Sequence, residues 1–339
     1  MSEELVQAFR RLRRSPAFSL IALATQALGI GASIAMFSLV HTILLRPLAY
    51  RDPGQLYTIL LHIPKLARQY PEVPVNAWHL LAWRRECRSW EALSAIKSTA
   101  GSLTGNGDPE RLEGVRASAN LFRLLGVRPR LGRDFRDEED AEGKARVVIL
   151  SDELWRRRFG ADPQILGRKI LLDEEPNEVV GVLPPRFAFP RGGHLSAIWG
   201  LPRRIDFWRP AGFTKDEMAH ALGEMNFMIL GRMARGSSAA GALEEMKTIE
   251  RGIAKSFPEP VELSPLIRPM HDKMVGDLQR SLWLLMGGVG CVLLIGCLNL
   301  ANLMLVRANG RRPCFWPAWV CMAWSPTEWA SGPTRSAFA

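Results

Sequence analysis

Phe18–Leu45, FSLIALATQALGIGASIAMFSLVHTILL, runs for 28 residues without an Asp, Glu, Lys or Arg. Ser281–Val306, SLWLLMGGVGCVLLIGCLNLANLMLV, does the same for 26. About 20 apolar residues cross the hydrocarbon core of a bilayer as a helix, so each stretch is long enough even when tilted. The residues between them have the mixed polarity of an ordinary globular domain. The pattern predicts a membrane protein with two transmembrane α-helices flanking an α+β extracytoplasmic domain.

Charge placement orients this arrangement. The chain of 339 residues carries a formal charge of +10. Arg10, Arg11, Arg13, Arg14 and Arg46 face only Glu3 and Glu4 in residues 1–46, and Arg307, Arg311, Arg312 and Arg335 face only Glu328 after residue 280. The basic excess is thus concentrated in the membrane flanks, which argues against nucleic-acid binding and for retention of both flanks on the cytoplasmic side. The expected organisation is a cytoplasmic amphipathic helix (1–17), a first span (18–45), an extracytoplasmic domain (46–280), a second span (281–306) and a basic cytoplasmic flank and tail (307–339). The first apolar region is about twice the length of a signal-peptide core and has no small-residue cleavage site behind it, so an uncleaved span is expected. Cys87 is the one cysteine of the central region, so its fold has to rest on a hydrophobic core without an internal disulfide.

Leu5, Phe9 and Leu12 place one apolar stripe on the leading helix, with membrane lipids as its partner. Within the central region, strands are expected at Gln55–Ile63, Glu113–Ala119, Val147–Leu150, Asn226–Met233 and Val261–Pro269. Ile170–Leu172 and Val179–Leu183 read as a hairpin about a turn at Asp173–Asn177. Helices are expected at Val75–Ala92, with Trp78, Leu81, Ala82 and Arg85 along one side, at Asn120–Leu125, and from Ser151 as N-cap to Phe159. A further helix, Ser237–Phe257, carries Leu243, Met246, Ile249, Ile253 and Phe257 at helical spacing. Residues 186–225, rich in Pro, Gly and aromatics, read as loops. The stretch around 110–215 reads as a β-rich second lobe inserted in an α+β domain.

Several phrases, in order, resemble one family. They include Arg10-Arg11-Leu12-Arg13-Arg14-Ser15-Pro16-Ala17-Phe18, Ala27-Leu28-Gly29-Ile30-Gly31-Ala32 and Leu44-Leu45-Arg46-Pro47-Leu48. Then come Ser118-Ala119-Asn120-Leu121-Phe122, Leu125-Gly126-Val127-Arg128-Pro129, Val148-Ile149-Leu150-Ser151, Arg158-Phe159-Gly160 and Ile295-Gly296-Cys297-Leu298-Asn299-Leu300-Ala301-Asn302. Together they resemble bacterial MacB/FtsX-type ABC transporter permeases, especially the long duplicated permeases of acidobacteria, over about residues 5–312. The resemblance implies a permease subunit of an efflux or lipoprotein-handling transporter in the bacterial inner membrane. Such a subunit works with a separate cytoplasmic ABC ATPase, whose motion passes to the periplasmic domain. The rival expectation is a membrane-anchored periplasmic sensor or scaffold without transport. After Arg312 the family continues with a charged helix that contacts the ATPase and with further spans. Here Pro313, Pro317, Pro326 and Pro333 interrupt any helix, and four of the eleven tryptophans fall in the tail. The expectation is a chain truncated by a shifted reading frame, with an aromatic interfacial tail as the alternative.

No enzyme is expected. There is no G-x-x-x-x-G-K-[ST] phosphate loop, no H-E-x-x-H and no G-x-S-x-G, so neither a cofactor nor a resident metal is anticipated. His41, His62, His79, His194, His220 and His271 are scattered, each read as a surface or hydrogen-bonded residue. Asp137–Asp140 lacks the spacing and glycine of a calcium loop and reads as an acidic surface segment. The candidate functional residues are for helix packing: Ala27, Gly31 and Ala35 at four-residue spacing, and Asn299 and Asn302 near the end of the second span. Amides inside a span usually bond a neighbouring helix, for roughly 0.6–2 kcal/mol, which would make the asparagines a moving helix contact; the alternative is a pair meeting headgroups and water. A homo-oligomer is possible.

Overall fold

The computed structural model describes residues 16–40, 50–105, 107–185, 187, 189–190, 200–219, 223–255, 262–276 and 278–308. The expected amphipathic helix before residue 16, the last residues of the first apolar stretch and the tail from residue 309 lie outside them. The chain divides into two units, Pro47–Gly276 and the two flanking segments that precede and follow it.

Among the described residues the flanking unit is a pair of helices, α1 (Pro16–Val40) and α8 (Leu278–Ala308). They pack antiparallel: a Cβ on Gly29 would meet Leu293 Cδ1 at 3.6 Å, and one on Gly296 would meet Gln26 Oε1 at 3.1 Å. Among the described residues one helical window, Ser281–Leu298, is long and apolar enough to cross a membrane, with a mean hydropathy of 2.2; the apolar part of α1, Ala24–Val40, is shorter.

The central unit is built on one mixed sheet. Its strands are β1 (Leu56–His62), β2 (Trp90–Thr104), β3 (Glu110–Ala117), β4 (Leu131–Gly132), β5 (Val147–Leu150), β6 (Lys169–Leu172), β7 (Glu175–Val182), β8 (Phe207–Pro210), β9 (Met228–Met233) and β10 (Ser264–Pro269). The spatial order is β10-β1-β9-β2-β3-β8-β5-β7-β4, with β6 pairing β2 and β7. Most pairs are antiparallel; β3 with β8 and β5 with β7 are parallel. β2 is the long shared strand. Its first half, Trp90–Ile96, pairs with β9, and its second half, Ile96–Leu103, pairs with β3. The sheet therefore runs on without a break past residue 110, where the inserted lobe was expected to begin.

Helices cover both faces. They are α2 (Ala77–Glu86), α3 (Leu121–Leu125), α4 (Asp152–Phe159), α5 (Lys215–Ala219), α6 (Ala239–Ala254) and α7 (Met270–Val275). β9 is buried on both sides: Met228 and Leu230 join one cluster with Phe122 and Trp208, while Ile229 joins another with Leu80, Trp83 and Met246. A third cluster packs Trp155 and Phe159 of α4 on Leu103, Leu112 and Phe207. Alternation of faces along a strand produces this division.

Local chemistry explains the boundaries. Ser151 caps α4 by accepting from Leu154 N at 3.1 Å, and Gly160 ends it with φ 62°, a left-handed value that costs glycine nothing. The β6–β7 turn is tighter than expected: Asp173 and Glu174 both take positive φ (53° and 66°), as a two-residue hairpin turn requires. Asp173 Oδ1 also accepts from Ser102 N at 2.8 Å.

Three expectations need correction. The helix from Val75 stops at Glu86, because Trp90 onward pairs with β9 and the ladder overrides helical spacing. Its buried side carries Ala77, His79, Leu80, Ala82 and Trp83; Trp78 is 40% exposed and Arg85 is exposed. The loop region 186–225 contains β8 and α5, each too short to show a period.

Candidate functional site: the root of the domain and the helix pair

β1 and β10 are the first and last strands of the central unit, and they are antiparallel neighbours with Tyr57 opposite Pro269. The chain therefore enters and leaves this unit side by side. Polar contacts fasten that root. Arg232 on β9 is fully buried and donates to Leu124 O at 2.8 Å, Arg51 O at 2.6 Å and Asp52 O at 3.4 Å, so it ties the entering segment to α3. Glu72, 8% exposed, accepts from Lys273 of α7 and lies 3.4 Å from Arg268 of β10, so it ties the leaving segment to the loop after β1. Buried guanidinium and carboxylate groups are tolerated because each is hydrogen-bonded.

Behind the root, α2 and α6 are joined through one carboxylate. Glu250 Oε1 lies 2.8 Å from His79 Nδ1 and accepts from Trp83 Nε1 at 2.9 Å; Glu250 and His79 are wholly buried. Glu250 Oε2 has no partner among the described residues. The signal for Glu250 was present in sequence as an acid four residues after Met246, on a stripe with Ala242. The expected stripe through Leu243 and Ile249 concealed it. Arg232 had no signal of its own, because a charged residue in a strand reads as solvent-facing until both faces are known to be covered.

In the helix pair, the contact stripe is Gln26, Gly29, Ser33, Met36 and Val40 against Leu282, Met286, Val289, Leu293 and Gly296. Both stripes step alternately by three and four residues, the spacing of knobs-into-holes packing. Ala27, Gly31 and Ala35 lie on the exposed side of α1, and a Cβ added at Gly31 meets nothing within 4 Å. Within this chain these three do not meet α8. Asn302 is exposed on α8; Asn299 lies on the same helix, three residues earlier. Among the described residues, Gln26 Nε2 makes a polar contact with Cys297 Sγ across the helices, at 3.9 Å. Ser33 Oγ bonds back to Gly29 O at 2.8 Å, which satisfies its hydroxyl inside the apolar stretch. Among the described residues no group of three or more His, Cys, Asp or Glu could hold a metal ion.

An α+β unit built on one mixed sheet, with its first and last described strands paired, is the class of domain into which the central part of the chain folds. The chain belongs to the MacB-like periplasmic core domain family, whose model matches residues 19–249. Over 239 residues it is 25% identical to the macrolide export ATP-binding/permease protein MacB of Rhodospirillum rubrum, a match covering 65% of this chain and 33% of that protein. Over 237 residues it is 26% identical to the MacB protein of Hahella chejuensis, again 65% of this chain and 33% of that one. The chain thus spans about a third of the length of these curated relatives. The crystal structure of the periplasmic region of MacB from Actinobacillus actinomycetemcomitans is similar at a TM-score of 0.43 and 13% identity, covering 64% of this chain and 90% of that one.

Proposed function

We propose that this chain is a permease subunit of an ABC-type transporter, in which α1 and α8 both cross the inner membrane and hold Pro47–Gly276 in the periplasm. A separate cytoplasmic ABC ATPase moves the helices, and the domain receives the motion through its root. The observation that carries this reading is the antiparallel pairing of β1 with β10. Two strands joined by a ladder transmit a displacement of either end as a unit, whereas ends on opposite edges would distort the sheet. The exposed Ala27–Gly31–Ala35 face of α1, together with Asn299 and Asn302, would pack against further spans of the assembled transporter or a second copy. The work done is efflux from the periplasmic side or lipoprotein handling, as in the family.

The test is spin labelling at Ala35 and Leu294 in proteoliposomes containing the chain and an ABC ATPase subunit of MacB type. The distance distribution is expected to differ between vanadate-trapped and nucleotide-free states. Identical distributions, with the ATPase demonstrably bound, would favour the anchored sensor or scaffold.

A further inference from the structure

A row of three cations crosses the sheet of the central unit. Lys97 of β2 stands opposite Arg116 of β3, and Arg116 stands opposite Arg209 of β8. Residues opposite one another on adjacent strands share a face, and like charges so placed repel. The row lies between two hydrophobic clusters on that face. Leu93 and Ala95 belong to one, and Leu103, Leu112 and Phe207 to the other. Something has to compensate the charge.

Compensation covers two of the three. Arg116 makes a two-pronged contact with Glu217, at 3.3 and 3.2 Å, and donates to Ala211 O and Gly212 O. Lys97 lies 3.9 Å from Glu217 and 3.9 Å from Glu224, and stands 5.5 Å from the centre of the Phe227 ring. Arg209 has neither an ion pair nor a hydrogen bond from its side chain among the described residues. It is partly buried, and burial together with Arg116 lowers its pKa, so its charge is held at a cost.

Arg209 opens into a cleft of about 350 Å³ that Arg116, Arg146, Glu142 and Glu175 also line. Arg146 is exposed and likewise without a side-chain partner among the described residues. Glu142 is engaged by Lys215 N at 3.4 Å. Glu175 attracts Arg209 electrostatically but forms no ion pair with it. A planar guanidinium with free N–H groups in a recess is matched by a two-pronged oxyanion.

We propose that this cleft binds an oxyanion, a phosphate or carboxylate group, held chiefly by Arg209 with Arg146 as second donor. The group could belong to a free anion or to the head of an acidic lipid. The site would give the periplasmic domain a ligand-dependent stability, because an anion that binds only the folded state shifts unfolding by mass action.

The experiment follows thermal unfolding of the full chain in detergent with inorganic phosphate against sodium chloride at equal ionic strength, and with phosphatidic acid against a neutral lipid. The expected result is a midpoint raised by phosphate, by phosphatidic acid, or by both. Arg209→Gln should need at least about tenfold more of the effective anion, the loss typical of a charged hydrogen-bonding partner. Glu175→Gln, which removes a competing carboxylate, should need less than the wild type. Without anion, Arg209→Gln should unfold no earlier than wild type, because it relieves the repulsion with Arg116. Protection by phosphate alone identifies a free anion and by phosphatidic acid alone a lipid head. Protection by neither, or equal protection of wild type and Arg209→Gln, would overturn the proposal.

Discussion

Glu250 is the residue on which the junction of α2 and α6 turns. One of its oxygens serves both His79 and Trp83. Glu250→Ala removes the carboxylate that His79 and Trp83 share and opens a void, and should cost about 3 kcal/mol, read as a lower urea midpoint. Glu250→Gln keeps an acceptor oxygen for those donors and should cost less. Asp140 makes a different prediction. It accepts from Ala119 N at 2.9 Å and Ala211 N at 3.3 Å, yet burial pushes its carboxyl up from 3.8 to about 6. The folded protein then holds a proton that the unfolded chain releases. That contribution to stability is fully present below 3.8 and is lost as pH rises through about 6. Asp140→Asn should therefore be more stable than wild type at pH 7 by about 1–2 kcal/mol, a margin that vanishes near pH 4. Paired denaturation curves at the two pH values check the sign. Asp134, also raised to about 6 by burial, contributes in the same direction in both proteins and cancels in the comparison.

Among the elements, the close approach of β3 and β8 depends on a missing side chain. A Cβ on Gly114 would sit 2.5 Å from the Phe207 ring, which is itself buried and cannot withdraw. Gly114→Ala should destabilise by about 1–3 kcal/mol, as overpacking of a core does. The helix pair makes a second prediction. With the native cysteines replaced by serine, a Gly29→Cys, Leu293→Cys chain should form an internal disulfide under mild oxidation, while Gly31→Cys, Leu293→Cys should not. Gel mobility under non-reducing conditions distinguishes them. Elements with a local signature were legible in the sequence. Val147–Leu150, the Ser151 cap and the end of α4 at Phe159 were all expected where they are found. The face of α1 that meets α8 was not. Small residues at four-residue spacing mark where a helix can approach closely, but the stripe that meets α8 includes Gln26 and Met36, whose sizes carry no such signal. β8 and the whole of β2 were missed; for β8 and the first half of β2 the pairing partners are far away in sequence, and pairing decides strand identity more than propensity does.

For the molecule as a whole, two uncharged stretches and a polar middle were enough to expect an α+β unit between flanking helices. What sequence could not show was that β1 and β10 are neighbours, because that pairing joins residues more than 200 positions apart. Nor could it show one sheet running from β10 to β4 through the shared strand β2. Both features bear on the central claim, that a single rooted domain stands outside a membrane crossed by both helices. Single cysteines test that claim most directly, in chains otherwise free of cysteine, at the exposed domain position Arg168 and at Ser2 before α1. The reagent is a membrane-impermeant maleimide applied to cells whose outer membrane alone has been opened. The account predicts labelling of Arg168→Cys at once and of Ser2→Cys only after the inner membrane is breached. Protection of Arg168→Cys, or equal labelling of both positions before that breach, would contradict it.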